Sequence, residues 1–519
     1  MGQVKSAVLD GRYRDSVFLM KISGEIGKMP GVKMASAMMA TERNKELFLA
    51  AGLMTEEIRQ AKSDDLAISV IADTLEQAAA GLEKATAMIS ADSQEKRKTG
   101  CQQAPERLEQ AVAQVPGLNL ALISVAGEYA AYEAAKALRN RLNVMLYSDN
   151  IDIAAERRLK EMARDAGLIV MGPDCGTAII NGVPLAFANT VASGCIGGVG
   201  ASGTGMQEVT CLVDRLGQGI SQAIGVGGRD LKQEVGGISF LSGFSYLIDH
   251  PETKVIVLIS KPPHQTVRAK VAELIWKAKK PVVVHYVGNT DYEPELAVGA
   301  YTANTLDAAA ILAVELAGGK VPPLQDEALY QSNLQAGMTK AAGRKYLRGI
   351  FGGGTLCYEA LDLAGKVLDR ASLYSNIPLT GMQKLSDLTK SSQHTFLDMG
   401  EDEFTVGKPH PMIDPTSKHK RLLTEMNDPD VAVVLFDLVI GFGAYADQAA
   451  DLAESIRTGV AAEHRPCLIA SVTGTENDSP RRSDQIRKLQ AAGVLVMPSN
   501  ALAARLACDI MQTLERSQR

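Results

Sequence analysis

The sequence predicts an α/β protein of three doubly wound, parallel-sheet domains. Three observations carry that expectation. Apolar runs without polar alternation recur between helical stretches of roughly 12 residues, the pattern of parallel strands buried on both faces. Glycine-rich loops follow strand-like runs at Gly198–Glu208, Gly225–Asp230 and Phe351–Thr355. At 519 residues the chain has the length of about three domains of ~150 residues.

The elements follow in order. Gln3–Asp10 is a strand, and Asp15 or Ser16 caps a helix over Phe18–Gly27. Val32–Met39 is the next strand, Thr41–Gly52 a helix, Asp65–Ala72 a strand and Thr74–Ile89 a helix with an apolar face. Ala91–Gln103 is polar and unpatterned, which predicts a surface insertion. Strands at Leu118–Val125, Asn143–Tyr147 and Leu168–Met171 then alternate with helices at Glu128–Arg139 and Ala154–Ala166. Ser193 opens a second α/β unit with strands at 195–199, 221–225, 254–260 and 281–287, closed by a helix over Thr302–Leu316. Gly318–Asp326, with Pro322-Pro323, reads as a linker. A third unit runs from strand 346–351 through helix 355–365 to strand 493–497, with Ser375–Gln393 irregular.

Composition excludes several function classes. Net charge is -6, against the basic stripe that nucleic acid favours. Aromatics are 5% with a single Trp276, too few for base-stacking platforms. The seven cysteines form no CxxC pair and no zinc spacing, so buried reduced thiols and no metal site are expected. Met1–Met20 is interrupted by Lys5, Asp10, Arg12, Arg14 and Asp15, unlike a signal peptide, and no run approaches the roughly 20 apolar residues of a membrane span. A cytoplasmic enzyme or enzyme subunit is expected.

The chemistry-bearing residues cluster at the glycine loops. Ala201-Ser202-Gly203-Thr204-Gly205 sits between a strand and a helix, where backbone N–H groups and the helix dipole favour an anion; Ser202 and Thr204 add hydroxyls. Gly228-Arg229-Asp230 ends another strand. Arg229 could hold a carboxylate bidentately and Asp230 could orient it or accept a proton, with a surface ion pair as the competing reading. Lys261 ends an apolar strand before Pro262-Pro263 and offers a cation, unless it is a solvated turn lysine. In Lys408-Pro409-His410-Pro411 two prolines fix the backbone around His410, with Asp398, Asp402, Glu403 and Asp414 nearby. A general acid–base or binding role competes there with a rigid structural loop. Cys175 lies in a glycine turn with nothing nearby to lower its pKa, and no nucleophile is expected of it.

Three strings, Gly172–Gly176, Ile196–Thr204 and Val226–Asp230, occur in the order found in the α subunit of succinyl-CoA synthetase, which the first two units resemble. The third unit is similar to the carboxy-terminal domain of that enzyme's β subunit, through Gly352-Gly353-Gly354-Thr355, Asp398-Met399-Gly400 and Gly441-Phe442-Gly443. The whole chain is identified as a member of the FdrA family by Asn119–Ala131, Gly200–Gly205, Ser260-Lys261-Pro262-Pro263 and Gly407–Pro415. The resemblance implies three Rossmann-like or flavodoxin-like domains of succinyl-CoA synthetase type. These are a CoA-binding-like domain over 1–190 (insertion about 91–117), an α-like ligase domain over 191–325 and a β-like domain over 340–519.

The resemblance also implies a site. Ser202, Gly203, Thr204 and Gly205 should meet Gly353, Gly354 and Thr355 at one phosphate, with Asp398, Gly441, Phe442 and Gly443 as further substrate-binding candidates. Two departures narrow the chemistry. Pro294–Tyr301 stands where the synthetase carries its phosphorylated histidine and contains none, His285 and His264 being poorly placed to substitute; and the nucleotide-grasping domain is missing, with no Walker pattern instead. FdrA-type proteins accompany two other subunits in anaerobic allantoin breakdown, where oxalurate and phosphate give oxamate and carbamoyl phosphate. The resemblance therefore implies a carbamoyltransferase subunit. Its substrates would be small anions, phosphate or carbamoyl phosphate among them, and it would need no bound nucleotide. Its partners would be subunits encoded nearby, in a homo- or hetero-oligomer. The alternatives are an acid–CoA ligase or CoA-ester transferase, in which CoA would be the cofactor, and a non-catalytic scaffold.

Overall fold

Four sheets organise the chain in a computed structural model. It describes every residue except Met1, Tyr13, Asp15, residues 99–104, 406–407 and 460–464, and Arg519. The chain divides into one unit of Met1–Asn119, Ser124–Ala130 and Thr405–Pro409, and a second of Leu120–Ile123, Ala131–Phe404 and His410–Arg519.

In the first unit the strands are β1 (Gln3–Leu9), β2 (Val32–Met39) and β3 (Leu66–Ala72). The helices are α1 (Ser16–Gly27), α2 (Glu42–Ala50), α3 (Glu56–Gln60), α4 (Leu75–Lys98) and α5 (Leu108–Gln114). The sheet is antiparallel in the order β1-β3-β2. This corrects the expectation of one doubly wound sheet over residues 1–190. β3 is apolar and buried nearly throughout, and such a run reads alike whichever way its neighbours point. Thr41 caps α2 by accepting from the Asn44 amide. The Asp15 cap lies outside the described residues. The polar stretch from Ala91 continues α4 as far as Lys98, where Ala, Gln, Glu, Lys and Arg favour a helix even without an apolar face; its remainder, 99–103, lies outside the described residues.

The second unit opens with a parallel sheet of β4 (Leu120–Ile123), β5 (Asn143–Leu146) and β6 (Val170–Met171), linked by α6 (Gly127–Arg139) and α7 (Ile153–Asp165). Next come the hairpin β7 (Thr177–Ile180) and β8 (Val183–Ala186), β9 (Ser193–Gly200), α8 (Gly203–Arg215), β10 (Ile220–Gly225) and α9 (Ile238–Asp249). They are followed by β11 (Val255–Ser260), α10 (Gln265–Lys277), β12 (Val282–Tyr286), α11 (Glu293–Ala297), β13 (Tyr301–Thr302) and α12 (Leu306–Leu316). Their sheet runs β13-β12-β11-β9-β10-β7-β8, parallel apart from the hairpin.

After α13 (Glu327–Ala341) the last sheet is wholly parallel, in the order β16-β15-β17-β14-β18-β19-β20. Its strands are β14 (Tyr346–Phe351), β15 (Leu373–Ser375), β16 (Gln383–Lys384), β17 (His394–Asp398), β18 (Val431–Val439), β19 (Cys467–Thr473) and β20 (Leu495–Met497). Its helices are α14 (Gly354–Ala364), α15 (Asp402–Thr405), α16 (Thr416–Met426), α17 (Gln448–Gly459), α18 (Arg482–Ala491) and α19 (Asn500–Gln518). The sequence reading left α13 and α19 unassigned; Asp326 starts α13 by accepting from the Ala328 and Leu329 amides.

β9 and β14 are each the central strand of a seven-stranded sheet, and α8 and α14 are the helices that leave them. One apolar core joins the two sheets, with Val209, Leu212 and Val213 of α8, Leu356, Ala360 and Leu361 of α14, and Ala503, Leu506 and Ile510 of α19. The helix starts of α8 and α14 are thereby held against each other.

Candidate functional site

Ser202 is the N-cap of α8 in extended conformation, and its Oγ accepts from the Gly205 amide at 3.2 Å. Gly353 caps α14 without a side chain. The two helix starts meet: Ser202 Oγ lies 2.6 Å from Thr355 Oγ1, and a Cβ on Gly353 would come within 3.0 Å of Thr204 Cγ2. Helix geometry leaves the first-turn amides of both helices, at Gly203, Thr204, Gly354 and Thr355, without intrahelical acceptors, and both dipoles put their positive ends here.

Asp398 ends β17, beside β14. Its backbone is fixed on both sides by the Asn376 amide group, and its Oδ1 accepts from the Gly400 amide at 2.9 Å. A Cβ on Gly354 would stand 2.4 Å from Asp398 Oδ2, so only glycine lets this carboxyl lie on the first turn of α14. Burial, then the charge of Glu401, pushes the carboxyl up to about 7. The Lys261 ammonium, 5.1 Å from the Tyr358 ring centroid on an exposed side chain, pulls the other way.

His410 is half-buried, its ring 6.0 Å from that of Phe187. Its Nδ1 accepts from the Met412 amide at 3.2 Å, and burial pushes the imidazole down to about 4. A neutral ring with Nδ1 as acceptor carries its proton on Nε2. That nitrogen sits over Gly400, 2.6 Å from where a Cβ would be. A carboxyl that titrates near neutrality, a neutral N–H donor and two helix starts are thus gathered in one place.

Two residues the sequence reading missed lie behind this place. Asp437, in the apolar strand β18, accepts from the Gly352 and Gly353 amides at 2.8 and 2.7 Å. Lys418 of α16 donates to the Asp437 carbonyl at 2.6 Å and pairs with its carboxylate, both side chains being buried. The signal was a single charge in the run Val431–Val439, which packing tolerates only with a partner.

Other expected residues are placed elsewhere. Asp230 is fully buried; its Oδ1 takes Lys160 Nζ at 2.7 Å and its Oδ2 the Phe240 amide at 2.9 Å. Lys160 also meets Glu156 at 2.9 Å, and Arg229 bonds Glu156 and the Ile151 carbonyl at 2.9 and 2.8 Å. Asp230 is thus committed to a buried ion pair and Arg229 to Glu156 and a carbonyl, as the competing ion-pair reading has it, rather than standing free as proton acceptor and clamp. They fasten α7 to the Gly228 loop and cap α9, whose own N-cap Gly237 has no side chain to do so. Asp230→Asn is expected to cost about 3–5 kcal/mol in urea unfolding, as a broken buried pair does, while turnover per folded molecule stays within about twofold.

The Gly441-Phe442-Gly443 loop is likewise a seam, not a pocket. The Phe442 and Gly443 amides donate to the Ala188 and Ala186 carbonyls at 3.2 and 2.9 Å, and the Phe442 ring is exposed. His285 lies in β12 with Nδ1 on the Ala303 carbonyl, His264 caps α10, and burial pushes Cys175 up to about 12. Gly407 lies outside the described residues. Among the described residues no cluster of metal-ligating side chains occurs, and no helix is long and apolar enough to cross a membrane.

The chain is 42% identical over 519 residues to YahF, an uncharacterized protein of Escherichia coli (strain K12), with 98% of each chain covered. It belongs to the FdrA family. A CoA-ligase model matches residues 350–510 of this FdrA chain, a CoA binding domain model residues 193–287, and a model described as AllF, heavy metal-associated domain, residues 1–106. Succinate–CoA ligase [ADP-forming] subunit alpha 2 of Archaeoglobus fulgidus is 26% identical over 176 residues, 33% of this chain and 60% of that one. The solved ATP citrate lyase of Methanothrix soehngenii, in complex with citrate and coenzyme A, matches at a TM-score of 0.37 and 15% identity. The match covers 44% of this chain and 45% of that one. By its CoA binding and CoA-ligase domain matches the FdrA chain is a member of the CoA-ligase superfamily. Residues 1–106 hold one cysteine, Cys101, and no histidine, so the thiolate pair or imidazoles that commonly hold a heavy metal are lacking there.

Proposed function

We propose that the joined starts of α8 and α14 seat a phosphate and that this chain transfers a carbamoyl group to it. The observation that carries the reading is the 2.6 Å contact of Ser202 and Thr355, which puts two helix dipoles, their free amides and two hydroxyls at one point beside Asp398. In the reaction a hydrogenphosphate oxygen attacks the ureido carbonyl carbon of oxalurate. The C–O bond forms and the C–N bond breaks. The electron pair on the departing nitrogen takes a proton from Asp398, which recovers one from the hydrogenphosphate, leaving oxamate and carbamoyl phosphate. His410 Nε2–H would donate to the oxyanion, and Lys261 offers a cation for the oxalurate carboxylate.

The test follows carbamoyl phosphate from oxalurate and phosphate, with this chain alone and with the proteins encoded beside its gene. Product in the mixture is expected. Ser202→Ala and Thr355→Val should raise KM for phosphate about tenfold or more, the worth of one hydrogen bond to a charged group, and leave kcat nearly unchanged. The second reading is a CoA-ester enzyme using the same anion seat, favoured by the CoA binding and CoA-ligase models. Absence of product in every mixture, with tight CoA binding by calorimetry, would transfer the assignment to it.

A further inference from the structure

The amino-terminal unit leaves one sheet edge open. β1 pairs with β3 from Gln3↔Ala72 to Leu9↔Leu66 without a bulge. The order β1-β3-β2 puts no described strand on its other side. This edge, seven residues without proline or glycine, keeps a row of unpaired N–H and C=O groups, the arrangement that recruits another strand.

Beside the edge runs a groove of about 430 Å³ between β1 and α4. Lys5 and Ala7, alternate residues of one strand face, form one wall. Ala79, Leu82, Glu83 and Ala87 form the other, at helical spacing. The walls carry opposite charges. Lys5 and Glu83 are exposed, and neither has an ion-pair partner among the described residues.

We propose that β1 pairs antiparallel with β1 of a second copy of this chain, giving one six-stranded sheet across a two-fold axis. In such a contact residue i of one copy meets j of the other and j meets i. Lys5 of each copy then reaches Glu83 of its mate, and both charges are paired without any further molecule. The small side chains of Ala79 and Ala87 let the two copies of α4 approach closely. An unrelated partner would have to bring its own acid and base to the same positions; this chain already supplies both.

Light scattering on the full chain at micromolar concentration tests the contact. Lys5→Glu and Glu83→Lys should each halve the wild-type mass, and Lys5→Glu/Glu83→Lys should restore it, because the exchanged charges again face each other. Hydrogen exchange gives a second reading that needs no variant: those amides of residues 3–9 that point away from β3, alternate ones along β1, should exchange at least tenfold faster on dilution to single copies, while those bonded to β3 stay protected. The contact is overturned by a wild-type chain that runs as one copy, by Lys5→Glu retaining the wild-type mass, by a double variant that stays at half mass, or by exchange independent of concentration.

Discussion

Asp398→Asn is expected to lower turnover about 10²- to 10⁴-fold, the usual contribution of a positioned general acid. It should also abolish the alkaline fall of the rate, which in the wild-type chain follows loss of the Asp398 proton as pH rises through about 7. The geometry explains why the proton is held. The carboxyl is buried and receives one amide, from Gly400, which is outweighed by burial and the Glu401 charge. The same shift links to folding. Titrating higher in the folded chain than unfolded, Asp398 contributes stability that is full below the ordinary carboxylate range and is lost as pH rises through about 7. Urea midpoints of the wild type should therefore fall across that window, and those of Asp398→Asn should fall less. An unchanged pH–rate profile in the variant would take the acid role from Asp398.

Lys418→Met is expected to remove about 3–5 kcal/mol of stability, because it leaves the buried Asp437 carboxylate without its counter-charge. Two amides, of Gly352 and Gly353, still hold that carboxylate, which keeps the loss from being larger. Those amides belong to the turn into α14, so a displaced Asp437 also moves the turn, and KM for phosphate should rise together with the loss of stability. Urea unfolding followed by circular dichroism checks the first effect and initial rates the second. A midpoint equal to that of the wild type would show that the pair does not hold the turn.

The helix starts were legible because their signals are local. Ser202 among glycines announces a cap within three residues, and Phe351–Thr355 announces a strand-to-helix turn in five. What was not legible depends on residues far apart in the chain. Arg229 and Asp230 looked available because Lys160 and Glu156, their partners, stand some 70 residues upstream on another helix. Asp437 carried a local signal, a lone charge in an apolar strand, but the Gly352 and Gly353 amides it holds stand some 85 residues upstream. The amino-terminal sheet was misread because apolar periodicity tells that a strand is buried and says nothing of its direction. Domain matches to CoA enzymes agree with the α/β reading of the rest, and the reaction itself rests on the few side chains around Thr355.

The Ser202–Thr355 contact has a mechanical consequence. Its two halves are anchored in different sheets, so turning one sheet against the other would pull the hydroxyls apart and scatter the donors. An anion seated there acts as a rivet: the free energy with which it binds is also free energy that locks the sheets together. At a hundred times its dissociation constant such a ligand would add about 2.7 kcal/mol to the folded state. The chain would then be stiffest when loaded and would loosen each time product leaves.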